Sequence, residues 1–109
     1  MGLIITNEIY TNAGVTSELY ININRLDIVK NSMVFCAINL YLNKTAREEN
    51  DADIVNTRQV SSTLNSNYLE IEDQLKTLTI HEILYAKLKE SLEAQGHTVI
   101  DDNEAILPA

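Results

Sequence analysis

LYININRLDIVKNSMVFCAINLYLNK, residues 19–44, reads as two β-strands around a short polar break. In its first half Leu19, Ile21 and Ile23 alternate with Tyr20, Asn22 and Asn24, after which the apolar phase slips to Leu26 and Ile28. A slip of one residue sends side chains to the opposite face, so the reading requires a bulge near Asn24-Arg25 or a change of strand partner. Lys30-Asn31-Ser32 supplies a polar hairpin connection into a second strand over residues 33–43. That strand is apolar at odd positions (Met33, Phe35, Ala37, Tyr41) and at even ones (Val34, Cys36, Ile38, Leu40, Leu42). Both of its faces therefore need cover.

Upstream, residues 3–11 read as a strand, with Leu3, Ile5, Ile9 and Tyr10 as its apolar contacts and Asn12-Ala13-Gly14 as its turn. Downstream, TAREENDAD (residues 45–53) is charged and aperiodic, a solvated loop with room for one helical turn. Residues 54–64, rich in Thr, Val and Ser, read as a further strand. Asn65-Ser66-Asn67 is a turn signal, and Tyr68-Leu69-Glu70-Ile71 extends or follows the strand.

The helix signal is the clearest. Thr79-Ile80-His81-Glu82 has the form of a capping box. Ile80, Ile83, Leu84, Leu88 and Leu92 then recur at helical spacing, and Gly96 supplies a left-handed stop. The expected helix covers residues 79–95. After it, residues 97–100 read as a short strand or an extended clamp, and residues 101–109 as an acidic C-terminal tail.

These elements define an α+β fold: a small antiparallel sheet packed by one C-terminal amphipathic helix, in a single β-rich domain over residues 1–100. One helix covers one face. Either the sheet curls into a sandwich or partial barrel to cover the other, or a second chain does so. The second alternative makes Tyr20, Phe35 and Tyr41 the candidate interface residues, because an aromatic ring can be buried at a contact while a tyrosine hydroxyl keeps a polar partner.

Composition narrows the function classes. With 109 residues there is material for one core. The formal charge of −8 disfavours direct binding to nucleic acid, because an acidic surface repels phosphates. The single cysteine, Cys36, rules out an intramolecular disulfide and sits in an apolar run where a thiol acts as a small hydrophobe. No secretion signal or membrane-spanning run is evident, so the expectation is a protein made and folded in a cytoplasm without membrane association.

No nucleophile elbow, glycine-rich phosphate loop or His/Cys metal spacing occurs in the sequence. Glu48, Glu49, Asp51 and Asp53 lack the glycine and terminal glutamate of a calcium-binding loop. His81 and His97 flank the helix at opposite ends. The expectation is a non-enzymatic protein with no cofactor, no metal and no small-molecule substrate.

The order of features resembles small structural proteins encoded among the virion and tail genes of tailed bacteriophages. The resemblance rests on a first strand and glycine-containing turn (residues 4–14), the tyrosine strand LYINI (residues 19–23), and an apolar return strand leaving through Tyr41-Leu42-Asn43-Lys44. It continues through a charged loop from Ala46 to Glu49 and closes on the helix pattern LYAKLKESL (residues 84–92). It implies a virion component assembled in the bacterial cytoplasm, in the tail, baseplate or neck, that binds other virion proteins in multiple symmetric copies through β-edge, apolar and tyrosine contacts. The alternatives are a head decoration or capsid-associated protein, and a small acidic regulator directed at the host.

Overall fold

The computed structural model describes residues 2–29, 31–50 and 54–102. Five antiparallel strands form one sheet in the order β6-β5-β4-β1-β7: β1 (Gly2–Ile5), β4 (Leu19–Ile28), β5 (Met33–Tyr41), β6 (Thr63–Asn67) and β7 (Val99–Asp102). The segment expected as one first strand breaks after Ile5 and resumes as β2 (Ile9–Thr11), which pairs with β3 (Gly14–Thr16) in a separate ribbon. The main sheet stays open, with β6 and β7 as its edges. It does not close into a barrel.

The phase slip in the opening stretch is a bulge. Ile23 faces Ile38 and Arg25 faces Ala37, leaving Asn24 as the extra residue. Leu26 then falls opposite Cys36 and Ile28 opposite Val34, so the apolar set returns to the face that Leu19, Ile21 and Ile23 began. The hairpin turns with Asn31 at φ 63°, a left-handed conformation that asparagine tolerates. The Ser32 amide donates to the Val29 carbonyl at 3.0 Å and closes the turn.

One face of the sheet carries Leu3, Ile5, Leu19, Ile21, Ile23, Val34, Cys36, Ile38 and Leu40, all buried. They form one cluster with Ile83, Leu84, Leu88 and Leu92 of α3 (Ile80–Ala94). The helix begins as its sequence dictates. The Thr79 hydroxyl accepts from the Glu82 amide at 3.2 Å, and a Glu82 carboxylate oxygen accepts from the Thr79 amide at 3.2 Å. Thr79→Ala should lower stability by about 0.5 to 2 kcal/mol, read as a lower denaturation midpoint. At the far end Gly96 adopts φ 96°, and its amide and that of His97 donate to the Glu93 and Leu92 carbonyls, a Schellman stop.

Three expectations are corrected between residues 54 and 71. Residues 54–62 meet β5 only at their ends, through Val55 N–H to Leu40 and Ile38 N–H to the Ser62 carbonyl, and form no strand. Asn65-Ser66-Asn67, expected as a turn, is strand β6, paired with Met33, Val34 and Phe35. The asparagine signal belongs one step later: Asn67 Oδ1 accepts the Leu69 amide at 3.0 Å and caps α2 (Tyr68–Ile71), which is a helix rather than a strand. Pairing along β5 overrides the local turn preference.

In the charged segment, α1 (Lys44–Glu49) is the single helical turn for which the sequence leaves room, capped by Asn43 Oδ1 accepting the Ala46 amide at 2.7 Å. Asp51 and Asp53 lie outside the described residues. So does the expected tail beyond Asp102, whose first two residues instead belong to β7, where Asp101 faces Leu3 and Asp102 faces Gly2. Among the described residues no helix is long and apolar enough to cross a membrane.

Candidate interaction surface

The second face of the sheet carries Ile4, Tyr20, Asn22, Phe35, Asn39 and Tyr41, as the cross-strand register requires. Tyr20 and Tyr41 face each other across β4 and β5, with ring centroids 6.5 Å apart and planes at 51°. Their exposures are only 3% and 2%. Neither is available to a partner. The expectation that both line an accessible interface is corrected, because both side chains are buried within the chain itself.

A polar clasp holds this region together. Tyr20 Oη donates to Asp102 Oδ2 at 2.9 Å, and Lys44 Nζ donates to Asp102 Oδ1 at 3.1 Å. The clasp ties β4, β7 and the start of α1 into one unit, and the paired charges lower the cost of burying Asp102. Gly2 makes room for it: a Cβ there would stand 2.5 Å from Tyr20 Oη and 2.8 Å from the Ile21 carbonyl oxygen. On the helix side, the Tyr85 hydroxyl accepts the Ile23 amide at 2.8 Å. This satisfies a backbone donor beside the bulge.

Burial, reinforced by the Asp102 carboxylate, pushes the Tyr20 phenol up to about 12, and burial also raises Tyr85. The raised pKa of the folded state fixes the sign of the pH dependence. Tyr20 contributes its full stability below about pH 10, where the phenol is protonated in both states, and that contribution is lost as pH rises toward 12. Tyr20→Phe should cost about 1.5 to 3 kcal/mol at neutral pH by removing a hydrogen bond to a carboxylate. It should also flatten the fall of melting temperature between pH 10 and 12; an equally steep fall in the variant would contradict the assignment.

Phe35 differs from the two tyrosines. It is 42% exposed on the second face, near the turn between β4 and β5; Ile28, on the opposite face, and Val29 and Leu69 are also exposed around that turn. The sequence reading names Phe35 as a candidate contact, and its side chain is accessible; it does not name Ile28, Val29 or Leu69. Ile28 and Val29 read as the end of a strand, and Leu69 as part of another.

A second exposed region lies at the β2–β3 ribbon. Tyr10 is 61% exposed and faces exposed Val15 across the ribbon. Residues 56–59 seal the ribbon's outer edge largely with side chains. Asn12 Oδ1 accepts the Asn56 amide, Gln59 Oε1 accepts the Tyr10 amide, and the Thr57 hydroxyl donates to the Tyr10 carbonyl, each at 2.7 Å. Beside Tyr10 these residues and Arg58 line an open cleft of about 610 Å³.

Below the ribbon, the His97 ring is fixed by its neighbours. Asn7 Oδ1 accepts the Thr98 amide at 2.8 Å, so Asn7 Nδ2 is the donor to His97 Nδ1 at 3.2 Å. Nε2 then carries the proton and donates to the Gln59 carbonyl at 3.1 Å. This histidine braces the ribbon support, while His81 is exposed at the opposite end of α3. The Cys36 thiol is buried, and burial raises its pKa, as befits a packing residue.

Both sheet edges are short. On β6 the Ser61 hydroxyl donates to the Thr63 carbonyl at 3.1 Å and accepts the Thr63 amide at 3.3 Å, which occupies part of the free edge. On β7, Asp101 is engaged by Lys89 at 3.1 Å. The larger accessible apolar features are the hairpin end and the ribbon.

No family model matches the chain, and no curated protein or solved structure is significantly similar to it.

Proposed function

We propose that the chain is a non-enzymatic bacteriophage virion protein, a tail, baseplate or neck adaptor that works in multiple symmetric copies by burying apolar surface against other virion proteins. The observation that carries this reading is the exposure of apolar side chains on both faces of the β4–β5 hairpin end, Phe35 on one and Ile28 on the other, with Val29 and Leu69 beside the turn. Exposed apolar side chains concentrated at one end of a packed sheet suit a partner-binding region. The order of features from the first strand to the helix supplies the virion context. Contact through side chains at this patch takes precedence over edge pairing, since β6 and β7 offer only five and four residues.

The test is peptide mass spectrometry on density-purified particles from the source lysate, with tail and capsid fractions separated and this protein counted against a component of known copy number. Recovery with tails at a symmetric stoichiometry is the expected result. Recovery with capsids would move the protein to head decoration, and absence from both fractions would overturn the reading in favour of a host-directed role.

A further inference from the structure

The cleft at the β2–β3 ribbon is walled by side chains whose orientation is already fixed. Asn12 Oδ1 and Gln59 Oε1 each accept a backbone amide, which assigns both side-chain amides. Their NH2 groups are left as donors with no hydrogen-bond partner among the described residues. The Thr57 hydroxyl donates to the Tyr10 carbonyl and accepts the Gln59 amide at 3.2 Å, so it braces the wall. Arg58 adds an exposed guanidinium that forms no ion pair with a described residue.

The mixed polarity of this rim selects among ligands. Tyr10 is 61% exposed while its neighbour Ile9 is fully buried, so the ring stands free at the cleft. The Glu8 carboxylate accepts from the Tyr10 hydroxyl and so raises the phenol's pKa, which places an acceptor beside the ring. One cation and one carboxylate leave the rim without the net positive charge that a phosphate or sulfate needs, and the formal charge of −8 works against any polyanion. Tyr10 is also the only aromatic residue of the six that line the cleft, which gives a polyproline helix no set of rings to dock between.

A flat π face flanked by planar donors and a carboxylate fits a sugar ring. A pyranose has a face of C–H groups, which packs against the negative face of an aromatic ring, and a rim of hydroxyls that each donate and accept. At about 610 Å³ the cleft has the size of a small-molecule site, and it is open enough to admit one ring of a longer chain.

We infer that the ribbon cleft is a binding site for a neutral saccharide, with Tyr10 as the stacking platform, Asn12, Gln59 and Arg58 as donors to its oxygens, and Glu8 as an acceptor. No bond is made or broken. The inference goes beyond the reading of the chain as a virion adaptor and uses a surface separate from the hairpin end.

The test is saturation-transfer NMR on the purified full chain with lactose, maltotriose, cellotriose and chitotriose, each in excess, and with sialyllactose as the anionic comparison. At least one neutral probe should receive saturation, most strongly at the C–H protons of one ring face. Tyr10→Ala should weaken its binding by roughly tenfold or more, whereas Tyr10→Phe, which keeps the ring, should retain most of it. Asn12→Asp and Gln59→Glu keep the oxygens that hold the backbone and replace only the NH2 groups; each should weaken binding severalfold while the chain melts with the wild type. Val29→Asp, at the hairpin end, should leave binding unchanged.

No transfer to any neutral probe, transfer to sialyllactose alone, or binding that Tyr10→Ala leaves intact would overturn the inference. A particle-bound chain that ignores every saccharide would sink this inference and leave the virion reading standing. A chain that binds saccharide but is absent from particles would do the reverse.

Discussion

Tyr41→Ala should destabilise the isolated chain by about 3 to 5 kcal/mol, the range for removing a large aromatic side chain from a packed site. Tyr41 is 2% exposed, and its ring lies tilted against that of Tyr20. Truncation would remove that packing and leave a cavity in a buried site. The comparison that gives this result meaning is Phe35→Ala, six residues along the same strand and on the same face. Phe35 is 42% exposed, so its loss should cost much less, about 1 kcal/mol. Urea denaturation of the two variants reads the difference directly; an unchanged midpoint for Tyr41→Ala would return that residue to the interface.

The second large effect falls on the other face of the sheet. Leu84 is fully buried in α3 and belongs to the cluster that joins the helix to the strands. Leu84→Ala should cost about 2 to 5 kcal/mol through lost burial and a residual cavity. Helix propensity alone predicts the opposite sign, since alanine is the better helix former. Glu90, exposed on the same helix, provides the control: Glu90→Ala should stay within about 0.5 kcal/mol. Equal effects at the two positions would mean that the helix does not cover the sheet as described.

Features that depend on neighbours in sequence were legible before the structure. The slip from Ile23 to Leu26 narrows the strand to a bulge or a change of partner, of which the structure shows the bulge, and Thr79 with Glu82 marks the helix start. That β5 is apolar on both faces is likewise visible in its residues; the structure makes its even positions from Val34 to Leu40 the core. These are local rules of period and capping, so a single chain reveals them.

Features that depend on distant partners were not legible. Tyr20 and Tyr41 read as candidate interface residues because sequence period does not tell core from interface, yet both are buried, and Lys44 joins Tyr20 at the Asp102 clasp. The acidic partner of Tyr20 is Asp102, eighty-two positions away, and Asp102 reads in sequence as part of a solvated tail. Residues 54–62 have strand composition, but their hydroxyl and amide side chains bond the ribbon backbone in place of a regular ladder. Of the exposed apolar side chains, the sequence reading singled out Phe35 as a contact. Val29 lies just past β4 and Leu69 in α2, after the strand that pairs with β5, and Tyr10 stands out only once β2 separates from β1.

The most direct measurement of where this chain makes contact is oxidative side-chain footprinting by mass spectrometry, on the free protein and on the protein in purified particles. In the free chain Val29, Phe35 and Leu69 should label readily while Tyr20 and Tyr41 stay protected, and in particles the first group should become protected as well. Labelling of Tyr20 and Tyr41 in the free chain, with protection only on assembly, would contradict the account and make the buried tyrosines the true interface.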